Sequence, residues 1–137
     1  MTAETDLLHD FAQRYTAAWC SQDAASVAAH FSPEGSLTIN DGNAAVGRDA
    51  ITASAQSFMT AFPDLKVFLD DLLVETARVF YHWTLTGTNT GPGGTGQRVR
   101  ISGFEEWKIG DDGLIRESRG RFDSADYRRQ LQQGAGD

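Results

Sequence analysis

Cysteine is nearly absent: Cys20 is the only one in 137 residues, so no disulfide can form within the chain. A reducing compartment follows. Beside Trp19 in a helical pattern, that thiol is expected to be buried and inert rather than nucleophilic. Basic residues are also in short supply, with 12 Lys and Arg against 19 Asp and Glu and a formal charge of -7. Nucleic-acid binding needs clustered cations that displace phosphate counterions, and the arginines here are interleaved with acids. No nucleic acid is expected as a partner, and the mild acidity serves solubility. No apolar run approaches the ~20 residues that span a bilayer. The N-terminus "MTAETDLLHD" is acidic and lacks the basic-then-apolar layout of a signal peptide. These absences predict a soluble cytoplasmic protein with no membrane partner.

Motifs for common cofactors are missing too. No GxGxxG or P-loop pattern occurs, and "GPGGTG" reads as a turn between strands, not a phosphate cradle opening a helix. The GxSxG signature of a hydrolase serine is absent. His9, His30 and His82 are dispersed without metal-ligand spacing, and the first two fall on helical segments off the apolar stripes, where exposure is expected. Neither a cofactor nor a metal is expected.

What is present reads as one domain, residues 1–137, with 40% hydrophobic residues available for a core. Leu8, Phe11, Tyr15 and Trp19 recur at helical spacing, with Thr5 as a candidate N-cap. Asp23 is placed to cap a second helix carrying Val27 and Phe31, which stops at "SPEG". "SLTI" is a short strand, and the loop "NDGNAAVG" follows. The third helix, "RDAITASAQSFMTAF", has an apolar stripe of Ile51, Ala55, Phe58 and Phe62 and ends at Pro63. Four strand patterns then alternate with turn signals before a short final helix. Helices first and a meander afterwards predict an α+β fold with the helices gathered on one face of the sheet.

Alternation in "RVFYHWTLT" puts Val79, Tyr81, Trp83 and Leu85 on one face and Phe80, His82, Thr84 and Thr86 on the other. The first set suits a core or a subunit seam. The second suits either a partly wet cavity or a solvated sheet surface. On the next strand Glu105 shares the parity of Val99, Ile101, Trp107 and Ile109. It is either a pocket group, or Gly103 is a bulge that turns it outward. Asp123, in "GRFDSADYRRQL", has three possible jobs: an N-cap, an ion-pair partner of Arg100 or Arg121, or a catalytic acid/base.

From "FSPEGSLTI" through "GRDAI", "TLTGTNTG", "TGQRV" and "DGLIRESRGRFD" to the final "QL", the chain resembles the SnoaL-like polyketide cyclases of the NTF2-like, ketosteroid-isomerase-like superfamily. That resemblance implies a cone in which a strongly curved antiparallel sheet wraps around the N-terminal helices and leaves an apolar cavity. It also implies pairing into a homodimer. In the cyclases an Asp near the end of the last strand serves as acid/base in an aldol closure, and Asp123 matches that position. They also use a cavity histidine; His82 lies on a strand expected to line the cavity but has no match to that family position. The limonene epoxide hydrolases are similar in "GRDA" and "DGxI…FD". Here His82-Trp83-Thr84 stands in place of their Arg-x-Asp, and Leu37 and Ile39 replace their water-holding polar groups, which disfavours epoxide hydrolysis. No tyrosine matches the oxyanion donor of the steroid isomerases, although Tyr15 can reach the cavity from the first helix.

Two functions are therefore expected to compete. One is a cofactor-independent enzyme on a small apolar carbonyl compound, aldol cyclase or isomerase. Asp123 would move the proton and His82 polarise the oxygen, and Tyr15, Trp19, Phe58, Phe62, Phe80, Thr84, Glu105 and Trp107 would bind substrate. The other is a dimeric module that binds a small ligand without chemistry. Tyr81, Trp83 and Leu85 are the expected dimer seam, and the "NDGNAAVG" and "GPGGTG" loops the expected cavity mouth.

Overall fold

A computed structural model describes residues 3–135; the ends of the expected 1–137 span lie outside the described residues. The chain runs α1 (Ala3–Cys20), α2 (Ala24–Ala28), β1 (Phe31–Ile39), β2 (Ala45–Val46) and α3 (Arg48–Ala61), then β3 (Lys66–Val74), β4 (Val79–Thr88), β5 (Arg98–Ile109), β6 (Ile115–Phe122) and α4 (Ser124–Gln133). The fold is α+β, a curved sheet with helices, as expected.

Phe11, Tyr15, Ala18 and Trp19 are buried along α1, at the spacing of one helical face. The helix is already formed at Ala3, so Thr5 lies inside it rather than capping it. Asp23 does cap α2, its carboxylate accepting the Ala25 N–H. Phe31 does not belong to that helix. It opens β1, which pairs with β6 first at Phe31–Ile115 and again from Ser36–Glu117, with a register shift between. "SPEG" is the irregular part of this longer strand, because proline has no N–H for the ladder. In α3, Ile51, Ala55 and Met59 are buried and Asp49 sits in the first turn, at the positive end of the helix dipole.

The six strands lie in the order β2-β1-β6-β5-β4-β3. Strands β3 to β6 form the expected antiparallel meander. β1 joins its edge parallel to β6, so the sheet contains one parallel pair. The β4–β5 register is continuous from Val79–Trp107 to Thr88–Arg98, which removes the bulge alternative at Gly103. Glycine is needed there for space: a Cβ would lie 2.2 Å from the Arg121 carbonyl oxygen and 2.9 Å from Cζ2 of Trp83. Glu105 therefore keeps its inward parity.

Tyr15 of α1 meets Trp107 of β5 and Tyr81 of β4 edge-on, with centroids 5.3 and 5.4 Å apart, and Tyr81 stacks on Trp107 at 4.9 Å. Such offset and edge contacts suit the ring quadrupoles. His30, expected to be exposed, instead packs its ring against Phe11 and Tyr15 and bonds the Ser26 carbonyl through Nδ1; burial pushes its pKa down. Cys20 departs the other way. It is exposed at the end of α1, off the buried stripe, while its sulfur exchanges 3.3 Å hydrogen bonds with the Val67 backbone. Among the described residues, no helix is long and apolar enough to cross a membrane.

Candidate active site

Between the inner face of the sheet and the helices is a cavity of about 60 Å³. β4 contributes Tyr81, Trp83 and Leu85, and β5 contributes Ile101 and Glu105. Leu37 and Ile39 come from β1, Gly120 and Phe122 from β6, Val67 from β3, and Trp19 and Phe58 from α1 and α3. Glu105 is the only ionisable carboxylate in this wall. Ile39, Phe58 and Phe122 are only half-buried and mark its open side.

Glu105 is buried, and three side chains from separate elements converge on it. Its Oε1 accepts from the Tyr15 hydroxyl at 3.0 Å, the Trp107 indole N–H at 2.9 Å and the Ser118 hydroxyl at 2.7 Å. Oε2 accepts only the other half of the Tyr15 contact, at 3.1 Å. One oxygen is saturated and the other has lone pairs to spare. Burial raises the Glu105 pKa, and the Trp107, Ser118 and Tyr15 donors pull partly the other way. Burial, with the Glu105 charge nearby, holds the Tyr15 hydroxyl well above its usual range, so it stays a neutral donor.

The other expected site residues are scattered. Asp123 is exposed and caps α4, its Oδ1 accepting the Asp126 N–H at 3.0 Å. Parity explains this: Ser118, Gly120 and Phe122 point inward along β6, which leaves Arg119, Arg121 and then Asp123 on the outer side. Neither expected arginine partner is in place. Arg121 pairs with Asp41, and the β5–β6 ladder ends at Gly103–Phe122, short of Arg100. His82 lies on the outer sheet face beside Phe104, and Phe80 meets the same ring. Thr84 is on that face too, bonded to Asp70 and Ser102 at 2.5 and 2.7 Å. The two faces of β4 are thus exchanged relative to the cavity assignment: Tyr81, Trp83 and Leu85, the expected seam, look inward.

Of the expected substrate-binding residues, Trp19, Phe58 and Glu105 line the cavity. Tyr15 and Trp107 stand behind it, holding Glu105. Phe62 is fully buried against Tyr127 and Gly87, away from the wall. Neither "NDGNAAVG" nor "GPGGTG" supplies a lining residue. Sequence reading missed Ser118, Gly120 and Phe122, although the Arg-x-Arg alternation of β6 marks the other parity as the inward one. Among the described residues, no group of three His, Cys, Asp or Glu is placed to hold a metal ion.

A sequence profile of the SnoaL-like polyketide cyclase family matches residues 9–131. No curated protein sequence matches the chain. Among solved structures, an NTF2-like protein of unknown function from Burkholderia pseudomallei is similar with a TM-score of 0.78 at 17% identity, covering 96% of this chain and 98% of that one. TsrD from Streptomyces laurentii gives 0.77 at 22% identity, covering 90% and 93%. A protein with a ketosteroid isomerase-like fold from Catenulispora acidiphila, in complex with trimethylamine, gives 0.70 at 13% identity, covering 80% and 82%. At these identities the structures speak for the fold, and the profile speaks for the family. The chain belongs to the SnoaL-like polyketide cyclase family, on an NTF2-like fold.

Proposed function

We propose that the chain is an acid/base enzyme acting on a small apolar carbonyl compound, with Glu105 as the group that removes and returns a carbon-bound proton. The observation that carries this reading is Glu105 itself, a buried carboxylate in an otherwise apolar wall with one under-used oxygen. Desolvation makes such a carboxylate a stronger base than one in water. Glu105 Oε2 forms an O–H bond as the C–H bond next to the carbonyl breaks. The C–H pair becomes a C=C bond, and the carbonyl π pair moves to oxygen, giving an enolate. Where a C=C bond lies next to the α-carbon, the enolate extends over it, and return of the proton to the far carbon shifts the double bond and isomerises the compound. Attack of the enolate carbon on a second carbonyl, with the proton passing to the new alkoxide, closes an aldol ring. Both outcomes use the chain's own residues and no cofactor.

Size narrows the substrate. The enclosed 60 Å³ is under half of the ~150 Å³ that holds a benzene ring. Only a carbonyl and its neighbouring carbons fit inside, and any ring system stays at the open side between Ile39, Phe58 and Phe122. Acetophenone has this shape. Its methyl protons should exchange with deuterium oxide faster in the presence of the protein, as followed by proton NMR, and Glu105→Gln, checked for folding by circular dichroism, should return the rate to that of buffer. Exchange no faster than buffer, or unchanged in Glu105→Gln, contradicts the proposal.

A binding module without chemistry is the competing reading, favoured by the three donors that lock Oε1 into the core. It predicts acetophenone binding with no exchange. In either reading a homodimer, implied by the family resemblance, would form through the outer sheet face, where Phe68 and Leu73 are 49% and 48% exposed next to Thr84 and Phe80. Sedimentation as a monomer contradicts the dimer.

A further inference from the structure

Two tryptophans of the sheet differ in one respect. The Trp107 indole N–H is used, donating to Glu105 Oε1 at 2.9 Å. Trp83 is equally part of the interior, 9% exposed, but its Nε1 is the one buried side-chain nitrogen or oxygen without a hydrogen-bond partner among the described residues. Buried indole N–H groups generally find an acceptor. Trp83 lines the cavity, and no side chain of the wall bonds its N–H: the Tyr81 hydroxyl is engaged with Thr16, Glu105 Oε1 is claimed by three donors, and Glu105 Oε2, although it has lone pairs to spare, is not its partner. The ring is not free to turn away, because Cζ2 rests against the backbone at Gly103 and Phe122 packs edge-on at 6.0 Å. The N–H is thus left unpaired in a residue of the cavity wall.

We propose that the Trp83 indole N–H donates to the carbonyl oxygen of the ligand, and so selects carbonyl compounds over hydrocarbons of the same shape. This deepens the reading of Glu105 and rests on it only for the ligand's being a carbonyl compound. The two groups have opposite hydrogen-bonding character in one small apolar space. Trp83 gives a hydrogen bond to the oxygen, and Glu105 takes a proton from the neighbouring carbon. Such a bond strengthens as the reaction proceeds, since the carbonyl oxygen becomes the enolate oxygen. A neutral N–H held by the sheet needs no reorganisation as that charge develops.

The test compares acetophenone with α-methylstyrene, in which a CH2 replaces the carbonyl oxygen at nearly constant shape. Binding and the indole protons are followed together by nitrogen-resolved NMR of the labelled protein. The Trp83 indole proton is assigned by its loss in Trp83→Phe or, should that variant not fold, by its ring's proximity to the Gly103 α-protons. The expected result is a downfield move of the Trp83 indole proton with acetophenone and not with α-methylstyrene. Affinity should favour the ketone by about tenfold, and Trp83→Phe should reduce that preference to about twofold or less. Equal affinities, an unmoved Trp83 indole proton in the bound state, or no acetophenone binding at all overturns the proposal. The two readings fail separately. Exchange without an indole shift leaves Glu105 and removes Trp83; an indole shift without exchange leaves Trp83 as a binding donor and removes the proton transfer.

Discussion

Glu105 illustrates how a single side chain divides its work between two oxygens. Oε1 is a structural acceptor, tying α1, β5 and β6 together through Tyr15, Trp107 and Ser118. Oε2 is left with half of one hydrogen bond. Removing the saturated side of this arrangement should tune the other. Tyr15 donates to the ionised carboxylate and so lowers its proton affinity against the larger opposing effect of burial. Tyr15→Phe takes away that donor while keeping the ring. The variant's Glu105 should hold its proton to higher pH than wild type, so the rising limb of the exchange rate against pH moves upward. An unmoved or lowered limb contradicts this account of Tyr15. Parity on β5 already places Glu105 among inward residues, but its three partners come from positions 15, 107 and 118, and no local pattern in the sequence links them.

At the scale of elements, the end of β6 and the start of α4 show why Asp123 is ambiguous in the sequence. An acid directly before "SADYRRQL" reads equally well as a cap or as a site group. The deciding quantity is strand parity, which is legible only once Gly120 is recognised as an inward position without a side chain. As a cap, Asp123 satisfies a backbone N–H that the helix cannot pair itself. Asp123→Ala should lower unfolding free energy by about 1 kcal/mol, while Asp123→Asn, still a good cap, stays near wild type. Urea denaturation separates the two, and the acetophenone exchange rate should be unaffected in both. A large loss of exchange in Asp123→Asn would return Asp123 to the site. The same kind of ambiguity affected β4. Its alternation was plain in "VFYHWTLT", but which face meets the helices is set by tertiary packing. The large set goes inward because Tyr81 and Trp107 stack beneath Tyr15.

At the scale of the whole molecule, the order of helices and strands, the helix stripes and the meander were legible because each follows from local periodicity. The parallel pairing of β1 with β6, the small size of the cavity and the unpaired Trp83 N–H were not, since each depends on segments far apart in the chain. The central property is of this second kind. No local sequence effect raises the proton affinity of Glu105; α1 and the sheet must close over it together. Folding therefore links to pH in a definite sense. A carboxyl that binds its proton more tightly when folded adds stability fully below its unfolded value, and that contribution is lost as pH rises through the higher folded value. The direct measurement is a carbon-13 NMR titration of the Glu105 side-chain carboxyl in the folded chain and in urea. The folded midpoint should lie above the unfolded one. A folded midpoint equal to or below the unfolded one would mean that the fold does not make Glu105 the stronger base on which the proposed chemistry depends.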